Sequence, residues 1–143
     1  PADISEIITL ISESIVSCVP GFVQDGAREA LVSPPSITEA MYSTFRRRQK
    51  AITEQLNMVE GIQCELPKGA MYVFPNIKKI SHSSESFALH LLKEVGIACV
   101  PGSYFGSEGE GHLRFSCAGS EEDIDSIAKL MNQAISTYKE KNQ

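Results

Sequence analysis

The sequence predicts an α+β fold in which a small sheet of about three to four short strands is covered by helices and preceded by interdomain helices. Two observations lead to this class. Apolar residues recur at helical spacing before, between and after short segments that are rich in branched and aromatic residues. Prolines and glycines separate these segments. With 143 residues, of which 42% are hydrophobic, the chain can bury a core as one compact domain.

Residues 1–35 are predicted to be helical and without strands. Five isoleucines share one helical face in the first segment: Ile4, Ile7, Ile8, Ile11 and Ile15. Pro20 and Gly21 break that helix, and a second apolar face runs from Val23 to Leu31 before Pro34-Pro35. We expect these stripes to be core faces. Residues 1–35 are therefore predicted to be interdomain material, and residues 36–143 are predicted to form a separate domain.

A third helix is predicted to begin at Ser36, which with Glu39 has the spacing of a capping box. The basic run at 46–50 is predicted to be its solvated face. The helix is expected to point these residues inward: Ile37, Met41, Phe45, Ile52 and Leu56.

Short strands are predicted at 62–66, 71–74, 97–100 and 113–117, because these segments hold branched and aromatic residues between turn signals. A helix is predicted from Ser83 to a stop at Gly96. Ser120 and Asp123 are predicted to begin a final helix with a continuous apolar stripe.

The charge and composition exclude several classes of partner. A net charge of −5 without a long basic run argues against nucleic acid or an anionic membrane as partner. With no leader or long apolar run in the sequence, we expect a soluble cytoplasmic protein; the alternative is an organelle matrix, in which case a targeting segment would lie upstream. The 4 cysteines are scattered among apolar neighbours and are predicted to be buried, reduced thiols. The histidines lack ligand spacing, so no metal site is predicted.

The candidate functional residue is Arg114, in the middle of the predicted last strand and after a loop bracketed by glycines at 102, 106 and 111. A guanidinium is a permanently charged planar fork that suits bidentate binding of a carboxylate. The residue types alone favour a structural role for Arg114, in a salt bridge or at a strand edge.

Four segments carry a family resemblance: Pro-Lys-Gly-Ala-Met-Tyr-Val-Phe-Pro at 67–75, Gly-Ile-Ala-Cys-Val-Pro-Gly at 96–102, Phe-Gly at 105–106 and His-Leu-Arg-Phe-Ser-Cys-Ala at 112–118. In this order and spacing they resemble the C-terminal part of class I/II aminotransferases that depend on pyridoxal phosphate, of the aspartate aminotransferase type (fold type I). Residues 24–31 and 36–56 are similar to that family's helices before and leading into the small domain.

The resemblance implies roles for particular residues. It implies that residues 1–35 belong to the edge of the large domain and that 36–143 form the small C-terminal domain. Arg114 is implied to bind the α-carboxylate of an amino-acid substrate. Gly69 and Tyr72 are implied to border the substrate cleft, and Tyr104 and Phe105 to shape its wall. The structural alternatives are a turn glycine at Gly69, a core-facing strand aromatic at Tyr72 and a packing residue at Phe105. The implied partners are an amino acid and a 2-oxo acid, the chain's own large domain and a second subunit of a homodimer.

The resemblance also implies pyridoxal phosphate as cofactor, bound mainly by residues upstream of this chain. None of the lysines here has the setting that the family's Schiff-base lysine has. Glu108 and Glu110 would repel a phosphate from the glycine loop. We therefore expect the chain to be the C-terminal portion of a transaminase, inactive by itself. Two alternatives remain: a stand-alone binding or regulatory module, and a related enzyme such as an aminocyclopropane-carboxylate synthase.

Overall fold

A computed structural model describes residues 2–141. This part of the chain divides between Glu39 and Ala40 into two compact units. Helix α3, Pro35–Asn57, crosses the boundary between them.

The first unit contains two helices, α1 (Ala2–Val16) and α2 (Gly21–Val32), as predicted from the isoleucine spacing and the Pro20-Gly21 break. The expectation that their apolar stripes are core is wrong within this unit. The isoleucines of α1 are 51% to 76% exposed. The physical reason is that two short helices, which meet at 112°, cannot cover each other's apolar faces.

The exposed apolar surface of α1 and α2 raises the question of a membrane span. No single described helix is both long and apolar enough to cross a bilayer. Taken together, α1 and α2 have sufficient length and apolar composition, but they are sharply bent relative to each other.

Helix α3 begins at Pro35, one residue before the predicted cap at Ser36. Proline suits the first helical position because its ring fixes φ and its missing N–H would have no partner there. The predicted inward residues are correct from Phe45 onward: Phe45 is half-buried against the core, and Ile52 and Leu56 are buried. Ile37 and Met41 are exposed, which contradicts their predicted place in the core.

Two further helices have the ends that the sequence predicts. Helix α4 (Ser84–Val95) is capped by Ser83 and stops at Gly96, whose φ of 72° favours glycine. Helix α5 (Glu121–Lys141) follows Ser120, whose hydroxyl accepts the Asp123 N–H at 3.1 Å while Asp123 accepts the Ser120 N–H. This reciprocal pair is the predicted capping box.

The sheet has three antiparallel strands in the order β1–β3–β2. They are β1 (Tyr72–Val73), β2 (Val100–Pro101) and β3 (Leu113–Ser116). The predicted strand at 62–66 does not form beyond one bridge between Gln63 and Asn76. The side-chain amide of Asn57 instead binds the main-chain N–H and C=O of Cys64, each at 2.9 Å, and takes the place of a strand partner.

The sheet buries one face against the helices of the second unit. Residues alternate along β3, so that Leu113 and Phe115 are buried while Arg114 is half-buried and Ser116 exposed. The buried face packs with α3, α4 and α5 around side chains that are almost inaccessible to solvent: Leu56, Val73, Ile77, Phe87, Leu91, Leu113 and Met131. The predicted α+β class, with helices covering one face of a small sheet, is confirmed.

The cysteines differ in their burial. Cys64 and Cys117 are buried, Cys99 is half-buried and all four thiols are free. Burial raises the pKa of Cys99 to about 12 and that of Cys117 to about 11. Cys18 is exposed, so the prediction of burial is wrong for this residue. It lies between α1 and α2, where no described side chain is buried.

Candidate functional site

The open face of the sheet gathers side chains from all three strands. In the antiparallel register, Arg114 on β3 is opposite Val100 on β2, and Tyr72 on β1 is opposite Ser116. Residues directly opposite each other share a face of an antiparallel sheet. Tyr72 and Arg114 therefore project to the same side, away from the core that holds Val73.

The Arg114 guanidinium lies between two aromatic rings. Its central carbon is 4.4 Å from the centre of the Tyr72 ring and 4.8 Å from that of Phe105. Both distances are typical of cation–π contacts. Arg114 is on the central strand, and no carboxylate among residues 2–141 forms an ion pair with it. The guanidinium is thus held in place by rings that leave its hydrogen-bond donors unused within the described structure.

A cleft of about 730 Å³ opens over this face. Three of the residues that the sequence singled out line it, namely Arg114, Tyr72 and Phe105. The remaining lining residues are Gln63, Glu65, Leu66, Pro67, Lys68, Val73, Phe74, Asn76 and His112. A carboxylate entering the cleft would meet two cations, Arg114 and the exposed Lys68, and one acidic group, Glu65.

Sequence reasoning missed two aromatic residues of the cleft. The rings of Phe74 and His112 stack 5.1 Å apart and nearly parallel, and Phe74 meets the Phe105 ring edge-on at 6.0 Å. Phe74 is two residues from Tyr72, and His112 is two residues from Arg114. Because alternate residues of a strand share a face, this spacing was the signal that could have identified them.

The loop that carries Phe105 is closed at its base by two glycines in direct contact. A Cβ on Gly102 would lie 1.9 Å from the carbonyl oxygen of Gly109, which no real side chain tolerates. The Gly102 N–H also donates to the His112 carbonyl at 2.8 Å. Two short 3₁₀ turns, Gly102–Phe105 and Ser107–Gly109, complete the loop. Only glycine permits this close approach, which places Phe105 at the loop's outer end.

Gly69 and Tyr104 are expected at the cleft but do not line it. Gly69 lies in the turn before β1, and a Cβ placed on it would meet nothing within 4 Å. The side chain of the buried Gln49 donates to the carbonyls of Gly69 and Ala70, at 3.1 and 2.7 Å. The turn is therefore held to α3. Tyr104, beside Phe105, points to Glu85 instead, with its hydroxyl 3.2 Å from that carboxylate.

The basic run of α3 does not line the cleft and makes contacts that stabilise the fold. Arg46 donates to the Pro67 carbonyl at 2.7 Å, and Arg47 pairs with Glu121 at the start of α5. Arg48 is half-buried, so the prediction of a fully solvated face is wrong at this residue. Its position next to the core follows from its one-turn spacing to the buried Ile52.

The described residues do not fit a covalently held cofactor. Among residues 2–141, Lys68 is the lysine that lines the cleft, and it is exposed. Across the same residues, no group of three or more histidine, cysteine or acidic side chains could hold a metal ion. We therefore assign none of residues 2–141 to the covalent binding of a cofactor. What the cleft can do is bind an anion at Arg114.

Comparison with known proteins identifies the family. Residues 2–130 match the family described as Aminotransferase class I and II. The chain is 34% identical over 137 residues to an aspartate aminotransferase of Pyrococcus horikoshii, covering 94% of this chain and 35% of that protein. It is 34% identical over 125 residues to aromatic-amino-acid aminotransferase 2 of Thermococcus litoralis, covering 86% and 32%.

Comparison with solved structures identifies the same family. The crystal structure of the aromatic aminotransferase from Pyrococcus horikoshii matches with a TM-score of 0.77 and 33% identity, over 97% of this chain and 38% of that one. The chain thus spans about a third of the length of the curated relatives that it matches. With nine-tenths of its residues covered by the family match, the chain belongs to the class I and II aminotransferase family.

Proposed function

We propose that this chain is the carboxylate-binding part of an aminotransferase that depends on pyridoxal phosphate and transfers an amino group between an amino acid and a 2-oxo acid. In this proposal, residues 1–35 are the edge of the large domain and residues 36–143 the small domain. Arg114 binds the substrate's α-carboxylate. Tyr72 and Phe105 keep its guanidinium in the orientation that binding needs.

The observation that carries the proposal is that the Arg114 guanidinium contacts aromatic rings but has no polar partner among residues 2–141. A half-buried guanidinium that serves only the fold would be expected to have a carboxylate or carbonyl partner. The Arg114 side chain contacts two aromatic rings and, among residues 2–141, forms neither an ion pair nor a hydrogen bond. The rings restrict its rotation without consuming its donors, so a substrate carboxylate could receive two parallel N–H···O bonds.

The chain's own contribution to the reaction is substrate positioning. Pyridoxal phosphate, when bound by the rest of the protein, supplies the electron sink that amino-group transfer requires. Arg114 would fix the α-carboxylate, and the ring wall of Tyr72, Phe74 and Phe105 would exclude water from that ion pair. Holding the substrate in one orientation accelerates the chemical step because less entropy is lost at the transition state.

Several finer statements belong to the same proposal. The relatives are named for aspartate and for aromatic amino acids, and aspartate is our proposed substrate class. All these substrates carry the α-carboxylate that Arg114 would bind. A homodimer and a cytoplasmic location stay predictions from the sequence.

The test is the substitution Arg114→Ala in the protein at the length that its source makes. Loss of two charge-assisted hydrogen bonds, each worth about 1.5–3 kcal/mol, should lower kcat/KM at least about 100-fold for every amino acid. The cofactor's visible absorbance should be unchanged. Arg47→Ala, an exposed arginine outside the cleft, is the matched control. Unchanged kinetics in Arg114→Ala would remove Arg114 from the site.

A second candidate function is a stand-alone module that binds carboxylates without catalysis. The exposed setting of Lys68, the cleft lysine among the described residues, favours it for residues 1–143 taken alone, which we propose to be inactive. Intact mass and cofactor absorbance of the protein from its source separate the two. A species of 15.6 kDa without cofactor would favour the module.

A further inference from the structure

The loop from Gly102 to Gly111 has a second anchor besides its paired glycines. Glu110 lies near the end of the loop, and its carboxylate oxygen Oε1 accepts the main-chain N–H of Ser84 at 2.7 Å and that of Gly111 at 2.8 Å. These two bonds hold the pKa of Glu110 below its usual range. One side-chain oxygen therefore joins Ser84, in the first turn of α4, to Gly111, two residues before β3.

Ser84 also binds the first part of the loop, at Ser103. It is fully buried, and its hydroxyl contacts Ser103 twice: the Ser103 hydroxyl at 3.2 Å and the Ser103 N–H at 3.3 Å. Ser103 is two residues before Phe105. Both ends of the loop are thus tied to the same residue at the start of α4, and Phe105 lies between the two ties.

Phe105 itself has little else to keep it in place. Half of its surface is exposed. Its ring contacts are the Arg114 guanidinium, at 4.8 Å, and the nearly perpendicular Phe74 ring, whose centre is 6.0 Å from its own. A ring at an exposed loop tip keeps one position only if the loop beneath it is fixed.

We propose that Glu110 is a positioning residue for the substrate site: by tying the loop to Ser84 and Gly111, it keeps Phe105 against the Arg114 guanidinium. Its functional meaning rests on the proposed role of Arg114 in carboxylate binding. The repulsion that the sequence suggested between Glu110 and an anion is reduced in this arrangement, because the bonded oxygen faces two main-chain N–H groups and not the cleft.

These 143 residues contain no tryptophan, so an indole introduced into them is followed as the difference in fluorescence between the protein at its natural length with and without the substitution. Phe105→Trp places an indole where it can contact the same guanidinium, and tryptophan is the strongest cation–π partner. In this background Glu110→Ala should shift the emission to longer wavelength and increase quenching by acrylamide, because the ring becomes more exposed. Glu110→Gln should behave as the parent, because both hydrogen bonds end on one oxygen that an amide also has.

The matched control is Glu108→Ala. Glu108 is an exposed acid of the same loop, and its carboxylate forms no hydrogen bond or ion pair among the described residues. It should leave the emission and quenching of the introduced indole unchanged. If Glu110→Ala loses its helical circular dichroism, Glu110→Asp is measured instead, since it keeps the charge but is one methylene too short to hold both N–H groups. It should show the same red shift.

A folded Glu110→Ala or Glu110→Asp protein with unchanged emission and quenching would overturn the proposal, as would a red shift in the Glu108→Ala control of the same size. These readouts need neither substrate nor cofactor. Failure of the proposed function appears separately, as unchanged kcat/KM in Arg114→Ala.

Discussion

Replacement of Arg114 by lysine tests what is special about a guanidinium at this position. The substitution keeps the positive charge and removes the planar pair of donors, so a carboxylate would keep one charge-assisted hydrogen bond and lose the other. The lost bond is worth about 1.5–3 kcal/mol. The guanidinium carbon also lies 4.4 and 4.8 Å from the centres of the Tyr72 and Phe105 rings, and the weaker contact of an ammonium with these rings costs about 0.5–1 kcal/mol.

The sum, about 2–4 kcal/mol, corresponds to a fall in kcat/KM of about 30- to 1,000-fold. The assay is steady-state transamination by the protein at its natural length, with aspartate, alanine and phenylalanine compared side by side. The fall should be similar for all three substrates, because they share only the α-carboxylate and α-amine. Arg47→Lys serves as control. A loss below about threefold, or a loss confined to one substrate, would refute the reasoning.

Three further predictions concern the fold around the site. Gly102→Ala should prevent the loop from closing and strongly lower the urea midpoint of unfolding, because its Cβ would lie 1.9 Å from a main-chain oxygen. Gly69→Ala is the control: its Cβ would meet nothing within 4 Å, so the midpoint should change little. At about pH 7.5 iodoacetamide should alkylate Cys18 quickly and Cys99 slowly by mass spectrometry, because burial raises the pKa of Cys99 to about 12. Equal rates would contradict this. The hydrogen bonds of the α5 cap lower the pKa of Asp123 from 3.8, so its stabilising contribution is present at neutral pH and lost as the pH falls through that lowered value. In Asp123→Asn, the free energy of unfolding should therefore decrease less as the pH falls than it does in the parent protein. The same pH dependence in both proteins would contradict this prediction.

The helix ends and the fold class could be predicted because local chemistry decides them. Ser83, Gly96 and Ser120 have the side chain or backbone freedom that a helix end needs, and each end lies where the sequence indicates. The strand at 62–66 could not be predicted to fail, because the amide of Asn57, which belongs to the preceding helix, takes its hydrogen bonds. Tertiary contacts of this kind override strand propensity.

The candidate site could likewise be predicted only in part. The residue types and motifs around Arg114 indicated a carboxylate site, and they indicated Tyr72 and Phe105 beside it. The contacts of Glu110 with Ser84 could not be foreseen, because they join residues that only the fold brings together. The exposed isoleucines of α1 had the periodicity of a buried face, but periodicity indicates which face is apolar and not what covers it.

The measurement that tests the central claim most directly is a crystal structure of the protein at its natural length with a bound 2-oxo acid or unreactive amino-acid analogue. The account predicts two carboxylate oxygens at about 2.7–2.9 Å from the guanidinium nitrogens of Arg114, with the Tyr72 and Phe105 rings still flanking it. A ligand carboxylate bound elsewhere, with Arg114 left without it, would contradict the account.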